Sequence, residues 1–207
     1  MKNYKKLLTN LFLILIILFT LTSCSGVVPE PSTPSEPHAE IADSHKVTTI
    51  APYYEMQEKD NYCLIASGVI VTNYEANYGV ENPQKVLIQQ ELADAIYVPG
   101  GAYSVSLVNY INSRSDLNLK AEVQYLSILE IQRMIEDDIV PIVILETKKH
   151  AIPTVEYNKI KNEITIYSIL DGKEHTMYEF EYLDPNSNKS VMIINKEKLS
   201  TYWNNFE

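Results

Sequence analysis

The sequence predicts an α+β domain, with helices in its first half and an antiparallel sheet in its second. Apolar residues recur at steps of three and four up to about residue 136, and from Val140 onward the period shortens to that of strands. Turn-forming clusters at residues 158–162 and 171–174 then fall at hairpin spacing. Helices followed by hairpins give α+β, because alternating βα units would be needed for a parallel sheet. The roughly 160 residues after the proline-rich stretch suffice for one core and are too few for two.

The elements follow in order. Asn61 is placed to cap a helix whose inward face runs Cys63, Ala66, Ser67, Ile70 and Tyr74. A second helix is predicted over 84–96, stopping before the turn cluster Val98, Pro99, Gly100 and Gly101. A third covers 103–113. The fourth opens at Ser127 with Glu130 three residues on, the capping-box spacing, and carries Ile131, Met134 and Ile135 on one face. Strands are predicted over 140–145, 151–157, 164–170, 177–183 and 191–194. A last amphipathic helix over 196–204 would set Leu199, Tyr202 and Trp203 against the sheet.

Ahead of this domain, Lys2, Lys5 and Lys6 precede an apolar run over 11–19, the pattern of a signal peptide. The run ends in Leu21, Thr22, Ser23 and Cys24, which resemble the lipobox of bacterial lipoproteins. That resemblance implies cleavage before Cys24, a diacylglyceryl group on its sulfur, and a protein held on the extracytoplasmic face of a bacterial membrane, at the cell surface or the periplasmic side. Two or more acyl chains make such an anchor stable. The expected organisation is a signal peptide over 1–23, a lipidated tether over 24–45 and a folded domain over 46–207. Pro29, Pro31, Pro34 and Pro37 bias the tether to polyproline II with nothing to bury. His38 and His45 are read as solvated.

The full chain carries a net charge of −10, and loss of the three signal-peptide lysines makes it more negative. Nucleic acid is excluded as a partner, since the electrostatic term that supplies its affinity would be repulsive. No histidine pair or carboxylate cluster has ligand spacing, so neither a metal nor another cofactor is expected. The 15 tyrosines read as sheet and core material, and a monomer is expected.

With Cys24 assigned to the lipid, Cys63 is a lone thiol in an exported chain, either buried and inert or reactive. Helix N-termini and neighbouring imidazolium groups favour thiolates in general. A thiolate attacks a carbonyl directly, an imidazole protonates the leaving amine, and a carboxylate on the far ring nitrogen fixes the tautomer. Gln57 lies six residues before Cys63, His150 between the first two predicted strands, and Asp184 at the end of the fourth. The Gln57 side chain and the Cys63 N–H would supply two oxyanion donors.

Gln57, Cys63, Ala66 and Ser67, a strand pair broken by His150, and a late Asp184-Pro185 resemble the papain-like C39-type cysteine peptidases over most of residues 50–205. The resemblance implies a papain-like fold, a peptide or protein substrate, and four roles: Gln57 in the oxyanion hole, Cys63 as nucleophile, His150 as acid and base, Asp184 orienting His150. The chain departs from the family at Leu64-Ile65, where Gly-Pro is common, and at Ile139-Val140, where a glycine usually precedes the Pro-Val-Ile strand. Asp171, twenty-one residues after His150, competes with Asp184 as the orienting acid. Gly100 and Gly101 either line a substrate cleft or form only a turn. Two alternatives to peptide hydrolysis stay open: an inactive peptide-binding module, and a transglutaminase- or deamidase-type acyl transfer with the same residues.

Overall fold

Residues 63–77 are buried on almost every side, and the elements of the domain pack around the helix they form. The structure, a computed structural model, describes residues 41–145, 150–178 and 189–196. Cys24 and the tether up to residue 40, Asp184, and the expected last helix with Trp203 lie outside the described residues.

Helix α1 (Cys63–Asn77) buries thirteen of its residues, Leu64 to Glu75 and Asn77, where the sequence suggested a single inward face. Burial all round marks a core helix. A 3-10 helix, Thr48–Tyr53, packs against it, as do α2 (Gln89–Ile96) and α3 (Ser104–Ser113). The α3 contact is tight, since a Cβ at Gly68 would sit 2.7 Å from the buried Leu107 Cδ2. Helix α4 (Ile128–Glu136) starts with the expected capping box, the Ser127 side chain taking the Glu130 N–H and Glu130 returning to Ser127.

Two helix starts differ from expectation. Asn61 does not cap α1: it adopts φ +64°, and Tyr62 is the cap residue, without a side-chain hydrogen bond. Helix α2 begins five residues late because asparagines on α1 take the backbone donors that a helix would need. Asn77 Oδ1 accepts Gln84 N–H, and Asn73 Oδ1 accepts Val86 and Leu87 N–H, at 2.8 to 3.0 Å. Side-chain acceptors of this kind compete directly with helix formation.

The strands are β1 (Ser44–Lys46), β2 (Tyr97–Val98), β3 (Gly101–Ala102), β4 (Lys120–Leu126), β5 (Ile142–Leu145), β6 (His150–Asn158), β7 (Glu163–Ser168), β8 (Lys173–Tyr178) and β9 (Lys189–Asn195). All pairings are antiparallel. The main sheet runs β4-β9-β5-β6-β7-β8, with β1 beside the far half of β6, and β2 with β3 forms a separate hairpin. Opposed pairs include Leu145 with His150, Ile142 with Met192, and Glu163 with Tyr178.

Strand β4 was not expected, since its alternation lies among helices in the sequence. It becomes a strand because β9 pairs with it along its whole length. Strand β8 starts at Lys173, so His175 is a strand residue rather than part of a turn. The folded part also reaches further back than residue 46. Ile41 is buried, Ala42 N–H donates to Glu136 Oε1 at 3.0 Å, and His45 sits in β1 with Nε2 3.0 Å from Asp138 Oδ1.

Candidate active site

Cys63 is the first residue of α1 and His150 the first of β6, and the two elements are tied next to these positions. Ser67 Oγ, one helical turn on from Cys63 and on the same face, donates to the Ala151 carbonyl at 3.0 Å in a buried setting. Thiol and imidazole consequently line one cleft of about 460 Å³. Both side chains are half-buried. The N–H groups of a helix's first turn have no acceptor within their own helix, so this end offers donors to an anion.

The opposite wall is the β2–β3 hairpin. Pro99 and Gly100 form its two-residue turn, with Gly100 at φ +99° and Gly101 at φ +137°. Both conformations favour glycine. Gly100 and Gly101 belong to the hairpin and also line the cleft. Bare backbone here lets an extended ligand approach closely. Tyr97, Val98, Tyr103 and Val105 are exposed on the hairpin and the start of α3, and Val98 and Tyr103 line the cleft. Leu64 also lines it.

Gln57 is half-buried and is not among the cleft-lining residues, although Asn61 from the same segment is. Its backbone is fixed closely: Gln57 N–H donates to Ile169 O at 2.8 Å. The buried Gln89 holds both flanks, donating from Nε2 to Met56 O at 2.7 Å and accepting Glu58 N–H at 3.0 Å. Sequence reasoning missed Gln89, which looks no different from its neighbour Gln90; only burial separates them.

Asp171 sits in the β7–β8 turn and engages a different imidazole. Its Oδ2 lies 2.8 Å from His175 Nε2, and its Oδ1 accepts Lys173 N–H at 3.2 Å. The Ser168 hydroxyl first, and His175 next, hold its carboxyl below the usual carboxylate range. Asp184 lies outside the described residues. Among the described residues no group of three His, Cys, Asp or Glu has the arrangement of a metal site.

A thiol at a helix N-terminus that shares a cleft with an imidazole on an antiparallel sheet is the pairing that thiol-dependent acyl transfer uses. No protein-family model and no curated protein matches the chain. Among solved structures it is similar to the N-terminal peptidase C39-like domain of the toxin secretion ATP-binding protein from Vibrio parahaemolyticus. The TM-score is 0.49 at 16% identity, over 68% of this chain and 100% of that one. It is also similar to the peptidase domain of Streptococcus ComA, a bi-functional ABC transporter involved in quorum sensing, with TM-score 0.46, 13% identity, and 69% and 97% covered. Both neighbours are peptidase domains. Likeness at this level assigns no residue, and the chemistry below rests on this chain's own side chains.

Proposed function

We propose that this protein is a cysteine peptidase held at a bacterial membrane surface by lipid on Cys24. The observation that carries the reading is the shared cleft of Cys63 and His150, set by the Ser67 hydrogen bond. The Cys63 thiolate attacks the scissile carbonyl carbon, and negative charge collects on the oxygen near the α1 N-terminus, where the backbone N–H groups of the helix's first turn are the donors. His150 passes its proton to the leaving nitrogen as the C–N bond breaks, giving a thioester on Cys63. Water then attacks the thioester, His150 takes its proton, and the C–S bond breaks to release the acid. Asp184 orients the imidazole, since Asp171 is occupied with His175.

The lipobox-like Leu21, Thr22, Ser23 and Cys24 supports the anchor. Among the described residues no helix is long and apolar enough to cross a membrane. The test pairs peptide hydrolysis with thiol chemistry. Cys63→Ala should fold and lose hydrolysis, and iodoacetamide should alkylate wild-type Cys63 faster at neutral pH than the His150→Ala protein. Retained hydrolysis in Cys63→Ala sinks the nucleophile assignment. Equal, slow alkylation in wild type and His150→Ala would instead favour the peptide-binding module.

A further inference from the structure

The other end of α1 borders a second cavity, of about 410 Å³, whose lining includes Glu75, Asp137, Asp138, Asn195 and Lys196. Glu75 is only 3% exposed. One of its oxygens takes the Val140 N–H, and Oε1 meets no hydrogen-bond donor. An ionised carboxylate is costly to bury without a partner. Its position breaks a second local rule, because Glu75 stands in the last turn of α1, where the macrodipole disfavours an anion. Asp137 and Asp138 directly follow the last turn of α4, so residues from two helix C-termini line one cavity. Both ends add negative potential.

Lys196 is the single basic residue of this lining, and its Nζ donates to the Tyr78 carbonyl at 2.9 Å rather than to Glu75. Asp138 is already held, by His45 on Oδ1 and by the Tyr78 hydroxyl on Oδ2, each at 3.0 Å. Glu75 Oε1 is left as a buried acceptor that no donor meets.

We propose that this cavity binds an organic ammonium group, with Glu75 Oε1 as its main acceptor and Asp137 and the Asn195 side chain at its sides. A bare metal ion fits less well. The carboxylates do not converge as metal ligands, and the volume is more than ten times the roughly 30 Å³ of a water molecule. Ile139 and Tyr78 supply walls for an alkyl stem. The ammonium belongs either to a free alkylamine or to a lysine side chain of another polypeptide. Burial pushes the Glu75 carboxyl up to about 8, against the opposing pull of the Val140 N–H and Lys196. An arriving cation would take the place of that proton.

The test is calorimetric titration of the full-length chain in detergent with cadaverine, with a short lysine-containing peptide, with its Nε-acetylated form and with calcium chloride. Saturable one-to-one binding of an ammonium compound, at least tenfold weaker in Glu75→Gln, is expected. Tighter binding of the peptide than of cadaverine assigns the site to a lysine side chain, and the reverse to a free amine. Should Glu75→Gln fail to fold, Asp137→Asn on the exposed side of the cavity should weaken binding several-fold. No binding, unchanged affinity in both variants, equal binding of the acetylated peptide, or calcium bound more tightly than either amine overturns the proposal. Alkylation of Cys63 should be the same in Glu75→Gln and wild type, which separates this site from the peptidase reading.

Discussion

The two ends of α1 are chemical opposites built on one apolar rod. At the N-terminal end a thiol and an imidazole face a cleft walled partly by glycine backbone. At the C-terminal end a buried carboxylate and two aspartates surround a cavity with one lysine. Between them the helix is packing material, buried and almost uncharged. The contrast shows how a core helix divides labour. Its middle fixes position, while its ends offer unpaired N–H groups to anions and carbonyls to cations. A developing thiolate or oxyanion belongs at the first end and an ammonium at the second.

Removing the proposed nucleophile would break the first half of this comparison most sharply. Cys63→Ala should lower peptide hydrolysis at least about 10³-fold with an unchanged melting temperature. His150→Ala should cost about 10²- to 10⁴-fold in the same assay. The proposed orienting acid sharpens the picture: Asp184→Asn should reduce turnover at least roughly tenfold, while Asp171→Asn, acting on His175, should leave it nearly unchanged. A large loss in Asp171→Asn would move the orienting role to that residue.

At the other end the expected effect is on stability. Glu75 has its carboxyl raised from 4.5 to about 8 in the folded protein. The folded state therefore holds this proton more tightly than the unfolded state does, and stability falls as pH rises from about 4.5 through about 8. Glu75→Gln removes that loss. The variant should be more stable than wild type by on the order of a few kcal/mol at pH 8, with the difference fading toward pH 4.5. Denaturant melts at the two pH values measure it, and a constant difference would contradict the burial argument. The groups facing Glu75 include Lys196, Asp138, Tyr74 and Tyr78, so cycles with Lys196→Met would apportion the effect. The smallest effect is on the link between the halves of the first site. Ser67→Ala should cost about 1–3 kcal/mol by stranding a buried carbonyl, and should slow Cys63 alkylation by loosening the helix against β6.

Much of this arrangement was legible in the residues. The capping box at Ser127 and Glu130, the change of period near Val140 and the hairpins around 158–162 and 171–174 are local signals that survive into the structure, while the cap signal at Asn61 does not. Strands β4 and β1 were not legible because their partners are distant in sequence: β9 for the one, the far half of β6 for the other. The late start of α2 was hidden for a related reason, since Asn73 and Asn77 act across a turn on backbone that reads as helical. At the site, Cys63 and His150 stand out by residue type and position. Gln89 and Glu75 do not, because their meaning comes from burial, and burial is a property of the fold.

The strand order also sets a timetable. Strand β9, the last of the described strands, lies between β4 and β5, one strand in from the β4 edge of the sheet. Until it docks, β4 lacks its strand partner and β5 keeps one open edge. Pairing across such sequence distances is slow, and the partly assembled state is prone to aggregate. The thiol of Cys63 is made early in synthesis, but the β6 platform beside it is backed by a continuous sheet only after residues 189–195 have joined. A chain truncated before residue 189 would carry the Cys63 thiol without that framework.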